Sequence, residues 1–292
     1  MTRKILRLLK GIWVLNFIRR IFRATKYFDN RYWEVLKWGI SSKEDTNFTY
    51  HLSPDNIKYL AHTIAAVTRV DYKEVLQYFD EIESDQTLKS TITEAIDNSK
   101  FKNIADKEIR FGRRLGWYAF TRIMKPKVVV ETGVDKGLGA ILLCAGLLKN
   151  KEEGFEGRYY GTDINPEAGY ILSGKYKEVG EILYGDSLDS LSKFSEKIDL
   201  FINDSDHSCE YEYQEYVMIK KFLTDRSIIL GDNSHCTDKL ADFSSKTNRN
   251  FIFFKEVPIG HWYPGAGIGI SYKNNVDFSQ IAKKSSFASM EE

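Results

Sequence analysis

The sequence has few cysteines, and its N-terminus lacks an uncharged segment long enough to cross a membrane. The three cysteines, Cys144, Cys209 and Cys236, are an odd number without the spacing of a disulfide framework, so we expect a reducing, cytoplasmic compartment. The uncharged stretch 11–18 is shorter than the about 20 residues that a membrane-spanning helix needs. No small-residue cleavage site follows it. We therefore predict neither a secretion signal nor a transmembrane helix.

A strong overall charge is also missing, although the charge is unevenly distributed. The net charge is +1, and the basic residues do not cluster near the C-terminal half, so nucleic acid is not an expected partner. Eight basic residues nevertheless precede the first acid, Asp29. Residues 3–27 fit an amphipathic helix with these basic residues mostly off its apolar face, which favours a peripheral position at a membrane surface. The alternative is a helix that docks on the protein or on a second copy in a homo-oligomer.

The hydrophobic content of 42% over 292 residues allows a sizeable core. We divide the chain into a basic amphipathic helix (1–28), a helical N-terminal region (29–120), an α/β domain (121–273) and a polar tail (274–292). In the second region, Ser53-Pro54-Asp55 is typical of a helix start.

The residue pattern changes after Pro126, where short β-rich runs alternate with stretches of helical periodicity. We predict strands at 127–131, 158–163, 181–185, 199–203 and 227–231, and helices at 138–149, 166–178, 187–195 and 209–223. This alternation predicts a Rossmann-like, doubly wound, mostly parallel sheet with helices on both faces. The runs 251–258 and 267–273 would complete seven strands as an antiparallel edge hairpin.

Polar side chains follow two of these strands. Asp204, Asp206 and His207 come after 199–203, and Asp232 and Asn233 come after 227–231. Ligands of open parallel sheets bind beyond the carboxyl ends of the strands, so Asp204, Asp232 and Asn233 would converge if the strands are neighbours. Three oxygen ligands suit a hard divalent cation. The pattern predicts a metal site there, and the alternative is an ordinary turn rich in Asp and Asn.

The first strand leads into a glycine-containing turn. Gly133 and Gly137 would let a ligand approach the backbone at a helix N-terminus, although the spacing is not that of the dinucleotide fingerprint. Asp163 ends the second strand, where a carboxylate can bind ribose hydroxyls, and Asp186 follows the third. Acids after successive strands predict a nucleoside site.

These residues resemble the motifs of the class I S-adenosylmethionine-dependent methyltransferases. The resemblance covers about residues 110–273 and implies that S-adenosylmethionine is bound by six residues: Glu131, Gly133, Gly137, Asp163, Asp186 and Ser187. The segments VVVETGVDKG, INDSDHS and GHWYPGAGIGI resemble the branch that methylates hydroxyls of saccharides and antibiotic precursors. The set Asp204, Asp232 and Asn233 resembles the magnesium triad of the catechol and caffeoyl-CoA O-methyltransferases. His207 stands where those enzymes have a lysine base.

We therefore expect an O-methyltransferase that acts on a hydroxyl of a sugar or other polyol, with Mg²⁺ assistance. The ion would lower the pKa of a bound hydroxyl, His207 would take the proton, and Asp206 would orient the imidazole or join the metal shell. One alternative is a metal-independent reaction with His207 as the base. Others are a nucleotide-binding oxidoreductase and an inactive membrane-surface module.

Two further features leave alternatives open. A zinc site is conceivable from side chains that zinc favours: His207, Cys209, His235 and Cys236. Its spacing fits no structural zinc pattern. His261, Trp262 and Tyr263 in the segment GHWYPGAG would form either an aromatic lid over the acceptor or a hydrophobic plug.

Overall fold

The computed structural model describes residues 12–44, 46–106, 108–232 and 234–281, without the side chain of Tyr27. The N-terminal part is helical. Ser53 begins its second helix as the sequence predicts, because its hydroxyl accepts a hydrogen bond from the Asn56 amide at 3.2 Å and Pro54 occupies the first turn. The elements of this part are α1 (Trp13–Ser41), β1 (His51–Leu52), α2 (Pro54–Thr68), α3 (Tyr72–Ser84), α4 (Gln86–Asp97) and α5 (Arg114–Met124).

The C-terminal part alternates strands and helices. Its strands are β2 (Val128–Thr132), β3 (Arg158–Asp163), β4 (Gly180–Tyr184), β5 (Ile198–Asn203), β6 (Leu223–Gly231), β7 (Asn250–Lys255), β8 (Pro258–Ile259) and β9 (Gly267–Tyr272). Its helices are α6 (Leu138–Glu152), α7 (Ser187–Ser192), α8 (Cys209–Ile219) and α9 (Lys239–Lys246), with 3₁₀ turns at Gly174–Glu178 and Lys220–Phe222.

Seven strands form one sheet in the order β4-β3-β2-β5-β6-β9-β7. The five strands from β4 to β6 are parallel, and β9 and β7 close the edge as antiparallel strands, so the predicted Rossmann-like architecture is confirmed. β1 and β8 pair separately. Hydrophobic clusters cover both faces of the sheet: α5 and α6 pack on one face, and α8 and α9 on the other.

The strand register aligns the ends of the three central strands. Thr132 pairs with Asn203, and Asn203 pairs with Gly231. The amide of Asp204 donates to the Thr132 carbonyl at 2.8 Å, and that of Asp232 donates to the Asn203 carbonyl at 2.9 Å. The residues just beyond β2, β5 and β6 therefore lie side by side where the strand order reverses, which is the usual ligand position in this fold.

The extent of the N-terminal helix and one other predicted helix differ from the structure. The predicted helix 3–27 is described only from Trp13, and α1 continues to Ser41, because no glycine or proline interrupts it before Gly39. The domain divisions at 28/29 and 120/121 fall within α1 and α5. The predicted helix 166–178 is wrong: Gly169 and Gly174 adopt positive φ angles, so the chain forms turns and a 3₁₀ segment there.

Candidate active site

An open cavity of about 490 Å³ lies beyond the carboxyl ends of β2, β3, β4 and β5. It contains most of the nucleoside-site residues predicted from the sequence. Its lining residues are Gly133, Asp135, Thr162, Asp163, Ile164, Asn165, Gly185, Asp186, Ser187, Asp204, Ser205, Asp206 and Tyr211. Five of them are aspartates and none is Lys or Arg, so this lining favours a cationic ligand over an anionic one.

The glycine turn after β2 forms the floor of the cavity. Gly133 has φ +81°, and a Cβ at this position would lie 2.1 Å from the carbonyl oxygen of Asp204. Gly137 has φ +97° and stands directly before α6, where a Cβ would lie 2.9 Å from the Cα of Gly169. Each glycine is required both by its backbone conformation and by the close approach of another segment. Gly133 lines the cavity, whereas Gly137 shapes the turn behind it.

Asp163 joins the glycine turn to β3. One of its carboxylate oxygens accepts hydrogen bonds from the amides of Val134 and Asp135 at 2.9 and 2.8 Å, and the other accepts from Asn165 at 2.8 Å. Because a carboxylate offers about four acceptor positions, it can still accept a hydroxyl from the cavity side. Asp163 thus holds the turn in place while facing the cavity.

Asp186 and Ser187 also line the cavity. The Asp186 carboxylate accepts the Asp189 amide at 3.1 Å, which begins α7, and the Tyr211 hydroxyl at 2.9 Å. The Ser187 hydroxyl lies 2.9 Å from the same Tyr211 hydroxyl and donates to Glu215. This places the predicted residues at one wall and adds Tyr211, which was not predicted from the sequence.

Glu215 on α8 is a buried carboxylate that fastens three of the surrounding loops. It accepts the hydroxyls of Thr132 at 3.2 Å and Ser205 at 2.8 Å, together with donors from Ser187 and Asn203. Burial raises the pKa of Glu215 to about 7 in spite of these donors, which lower it. Sequence reasoning missed this residue, since a glutamate within a helical run carries no distinguishing signal.

Glu131 lies behind the cavity and does not line it, although the sequence predicted it as a cofactor ligand. It is 2% exposed, accepts the Tyr159 hydroxyl, and would be 2.4 Å from a Cβ at Gly139. Burial raises its pKa to about 8. In this structure Glu131 therefore supports β2 and the first turn of α6.

Asp204 and Asp232 meet as predicted, and their carboxyl groups are hydrogen-bonded to each other. A buried arginine, Arg113, donates from Nε and Nη2 to the two oxygens of Asp232. Burial alone would raise the pKa of Asp232, but the charge and hydrogen bonds of Arg113 outweigh burial and lower it. Burial and the Asp232 charge raise the pKa of Asp204. The pair thus consists of an ionised Asp232 and an Asp204 that favours its protonated form.

Arg113 is itself held by two further buried side chains. Its Nη1 lies 2.5 Å from the Tyr50 hydroxyl and 3.4 Å from Glu256, and the Tyr50 hydroxyl donates to Glu256 at 2.8 Å. Arg113 is 4% exposed, and Glu256 is fully buried. This cluster carries the counter-charge of the strand-end carboxylates, and the sequence did not predict it.

The predicted magnesium ligands do not fit a divalent cation in this arrangement. Both oxygens of Asp232 face the guanidinium of Arg113, whose positive charge repels a cation placed beside them. Asp204 is hydrogen-bonded to Asp232, and its raised pKa favours the protonated form, whereas a metal ligand must be deprotonated. Asn233, the third predicted ligand, lies outside the described residues. Within the described ranges, no group of three or more His, Cys, Asp or Glu side chains is arranged to hold a metal, which also leaves the zinc alternative without support.

The residues predicted to act in catalysis lie on the loop after β5. Asp206 is exposed, lines the cavity, and accepts the Ser208 amide at 2.8 Å. His207 is exposed, and it is not among the described residues that line the cavity. The structure therefore brings Asp206, but not His207, together with Asp204.

The segment with His261, Trp262 and Tyr263 packs on other parts of the protein. His261 is 3% exposed and faces the Trp38 ring of α1 at 5.2 Å between centroids. The Trp262 indole donates to the Thr46 carbonyl at 3.0 Å, and the Tyr263 ring lies 5.3 Å from that of Tyr50. This packing agrees with the plug rather than with a lid standing over the cavity.

Comparison with known proteins identifies the domain that holds this site. Residues 130–234 match a family model described as a methyltransferase domain. Over these residues the chain is similar to a methyltransferase domain. The prediction of an S-adenosylmethionine-dependent methyltransferase is thus confirmed, and the matched segment runs from β2 to just beyond β6. No curated protein matches the chain.

Several solved structures are similar to part of this chain at low sequence identity. The O-methyltransferase from Bacillus cereus in complex with SAH is 15% identical, with 63% of this chain and 91% of that chain covered and a TM-score of 0.46. The SAH-bound methyltransferase PaMTH1 from Podospora anserina is 16% identical, with 65% of this chain and 88% of that chain covered and a TM-score of 0.45. The O-methyltransferase TomG from Streptomyces achromogenes, involved in tomaymycin synthesis and in complex with SAM, is 12% identical. The match covers 63% of this chain and 89% of that chain, with a TM-score of 0.45.

Proposed function

We propose that this methyltransferase transfers a methyl group from S-adenosylmethionine to a hydroxyl of a sugar or other polyol. The observation that carries the proposal is the aspartate-lined cavity with the Asp204–Asp232 pair at one end. The donor is a sulfonium cation, which an acidic cavity attracts. NAD carries a negatively charged pyrophosphate, which the same lining repels, so the geometry favours the methyl donor over an oxidoreductase cofactor.

The proposed donor site runs from the glycine turn to α7. Asp163 would accept the ribose hydroxyls, and Asp186 with Ser187 would lie along the adenine edge. Gly133 lets the loop after β5 pack against the end of β2, because its missing side chain leaves room for the Asp204 carbonyl, and this packing shapes the floor beneath the donor. The methyl group would then point toward the end of the cavity formed by Asp204, Ser205 and Asp206.

The proposed acceptor is uncharged and rich in hydroxyl groups. Asp204, Ser205 and Asp206 offer hydrogen-bond acceptors at that end of the cavity, and polyol hydroxyls are good donors to them. An acidic acceptor would be repelled by the same carboxylates. An apolar aromatic acceptor would displace water from these polar groups without offering them hydrogen bonds, at a cost in binding free energy.

The reaction needs positioning and the removal of one proton. The acceptor oxygen attacks the methyl carbon in line, the bond from carbon to sulfur breaks, and the electron pair returns to sulfur to leave a neutral thioether. The hydroxyl proton passes to a base on the protein. Asp206 lines the cavity, and His207 follows it on the same loop, so these two residues are the candidates.

We propose that the reaction does not require a divalent cation. In this structure Arg113 supplies the positive charge beside Asp232, where the sequence-based hypothesis placed Mg²⁺. The alternative is that a cation displaces Arg113 when the acceptor binds. Methyl transfer measured after exhaustive chelation separates the two, because persistence of full activity supports the metal-free reaction and its abolition supports the alternative.

The donor assignment can be tested by thermal shift. We expect S-adenosylhomocysteine to raise the melting temperature and NAD to leave it unchanged, because a ligand stabilises only the state that binds it. Asp163→Asn should reduce the shift, whereas the same change at the exposed Asp55 on α2 should not. Stabilisation by NAD and not by S-adenosylhomocysteine would overturn the proposal. Transfer of labelled methyl to a panel of neutral, acidic and aromatic acceptors then tests the acceptor class.

A further inference from the structure

Helix α1 exposes a large apolar surface that the described residues leave almost uncovered. The exposed fractions are 74% for Trp13, 72% for Phe22 and 73% for Phe28. From residue 12 to residue 30, no described side chain is fully buried. No described helix is long and apolar enough to span a membrane. A contiguous apolar surface of this kind marks an interaction site.

Between Trp13 and Phe28, the apolar and basic side chains of α1 separate into two sectors. At about 100° per residue, the apolar side chains occupy an arc of about 200°, and the basic side chains occupy the remainder. The apolar set is Trp13, Val14, Leu15, Phe17, Ile18, Ile21, Phe22 and Phe28. The basic set is Arg19, Arg20, Arg23 and Lys26, and the first acid is Asp29.

We infer that α1 binds the surface of a bilayer that contains anionic lipids. The charge is complementary, since the basic sector would face the headgroups while the aromatic side chains enter the acyl boundary. A second copy of the chain is the competing occupant. A coiled-coil seam uses a narrow stripe, and the apolar arc of α1 is much wider than that, so the bilayer fits it better.

The C-terminal third of α1 connects this surface to the acceptor end of the site. Arg31 donates from Nη2 to the carbonyl oxygens of Trp262, at 2.7 Å, and Tyr263. Tyr263 packs on Tyr50, whose hydroxyl contacts Arg113, the partner of Asp232. A continuous set of contacts therefore runs from α1 to Asp232, which is hydrogen-bonded to Asp204 at the acceptor end of the cavity.

This connection deepens the proposed function and rests on it: the acceptor hydroxyl is presented at the bilayer surface, on the headgroup of a lipid or of a lipid-linked saccharide. An enzyme held at the surface meets such an acceptor without extracting it from the membrane. The donor still enters from water, because S-adenosylmethionine is charged.

Vesicle flotation of the full chain tests the membrane contact. Each basic residue near an anionic surface strengthens binding by about fivefold, so four predict a difference of roughly several hundredfold between phosphatidylcholine vesicles with and without phosphatidylglycerol. Arg20→Glu with Arg23→Glu should weaken binding by about 25-fold or more. Added salt should weaken it as well.

The apolar face needs its own variant and a matched control. Trp13→Glu with Phe22→Glu should abolish flotation without unfolding the protein, because both side chains are exposed. Val217→Glu places the same charge at a 51% exposed apolar position on α8 and should float like the wild type. Wild-type protein that stays in solution and sediments as a dimer that the double variant dissociates would overturn the inference in favour of a second copy.

Two further measurements separate this inference from the proposed function. The stabilisation by S-adenosylhomocysteine should be equal in the wild type and in the Trp13→Glu, Phe22→Glu variant, since α1 does not line the cavity. Flotation without that stabilisation would retain the membrane contact and reject the proposed donor. Incubation of a membrane extract with labelled S-adenosylmethionine should place label in the organic phase; label only in water-soluble products would reject the membrane-presented acceptor.

Discussion

Replacing Arg113 by methionine gives the most direct test of the buried charge cluster. The substitution preserves much of the side-chain volume but removes the guanidinium that faces Asp232. Breaking a buried ion pair from one side costs about 3–5 kcal/mol, because the remaining carboxylate is left without its partner. Glu256 also loses a 3.4 Å contact, which puts the expected loss at the upper end of this range. The melting temperature should fall by roughly 6–20 °C, at 2–4 °C for each kcal/mol in a domain of this size.

The pKa of Asp232 determines how the stability loss in Arg113→Met should change with pH. In the wild type the pKa of Asp232 is lowered, so this group stabilises the fold above its unfolded pKa of about 4, and the stabilisation is lost as the pH falls through the folded pKa. In Arg113→Met that pKa should rise, because burial then acts unopposed. The loss of stability should therefore be largest at neutral pH and shrink toward pH 4. Urea denaturation at several pH values measures it.

The double variant Arg113→Met, Asp232→Asn should recover part of the lost stability, because it removes the unpaired carboxylate. The exposed Arg158→Met serves as the control and should change the free energy of unfolding by about 0.5 kcal/mol or less. Mn²⁺ should stabilise Arg113→Met, whose carboxylates are freed, and leave the wild type unchanged. A loss below about 1 kcal/mol, or Mn²⁺ bound to the wild type at this pair by paramagnetic resonance, would refute the assigned role of Arg113.

Three other substitutions give separate predictions. Gly133→Ala should abolish stabilisation by S-adenosylhomocysteine, since its Cβ would meet the Asp204 carbonyl, whereas Gly154→Ala, with φ +84° and open space, should retain it. Glu215→Gln should cost about 1–3 kcal/mol in urea denaturation and raise KM for the donor, while Glu210→Gln on the exposed side of α8 should change neither. The pKa of Glu131 is raised to about 8, so stability should fall by up to about 1.4 kcal/mol per pH unit between pH 5 and 8, and Glu131→Gln should remove this slope.

The sequence allowed the sheet and the row of strand-end residues to be predicted, for identifiable reasons. The central strands β2 and β5 and the C-terminal half of β6 are almost fully buried, so they appear as short apolar runs with polar residues at their ends. Asp204 directly follows such a run, whereas Asp163 and Asp186 stand at the ends of the less buried strands β3 and β4. To predict that these residues converge, only the strand order was needed. The alternation of strands and helices and the glycine turn after β2 indicate that order.

The charge cluster could not be predicted in the same way. Arg113, Tyr50 and Glu256 come from three distant segments, and their meeting depends on how the N-terminal helices pack on the sheet. Nothing in the local pattern distinguishes Arg113 from its neighbour Arg114. The length of α1 was also missed. The change from a basic to a mixed sequence near Asp29 suggested that the helix ends there, whereas it continues to Ser41.

The position of Arg113 explains how an acidic cavity can contain two carboxyl groups in contact. Arg113 offsets the repulsion between Asp204 and Asp232 and leaves the charge of the cavity lining unchanged. Five of the residues that line the cavity are aspartates, and two carboxyl groups in contact repel each other when both are ionised. Arg113 removes that repulsion from behind, on the side away from the cavity, because its guanidinium neutralises Asp232 without entering the lining. The lining therefore keeps its negative charge toward the sulfonium, and Asp204, whose raised pKa favours the protonated form, can donate a hydrogen bond to the acceptor. A divalent ion placed between the two aspartates would neutralise the same charge from the cavity side, and it would weaken the attraction for the donor that the other aspartates provide.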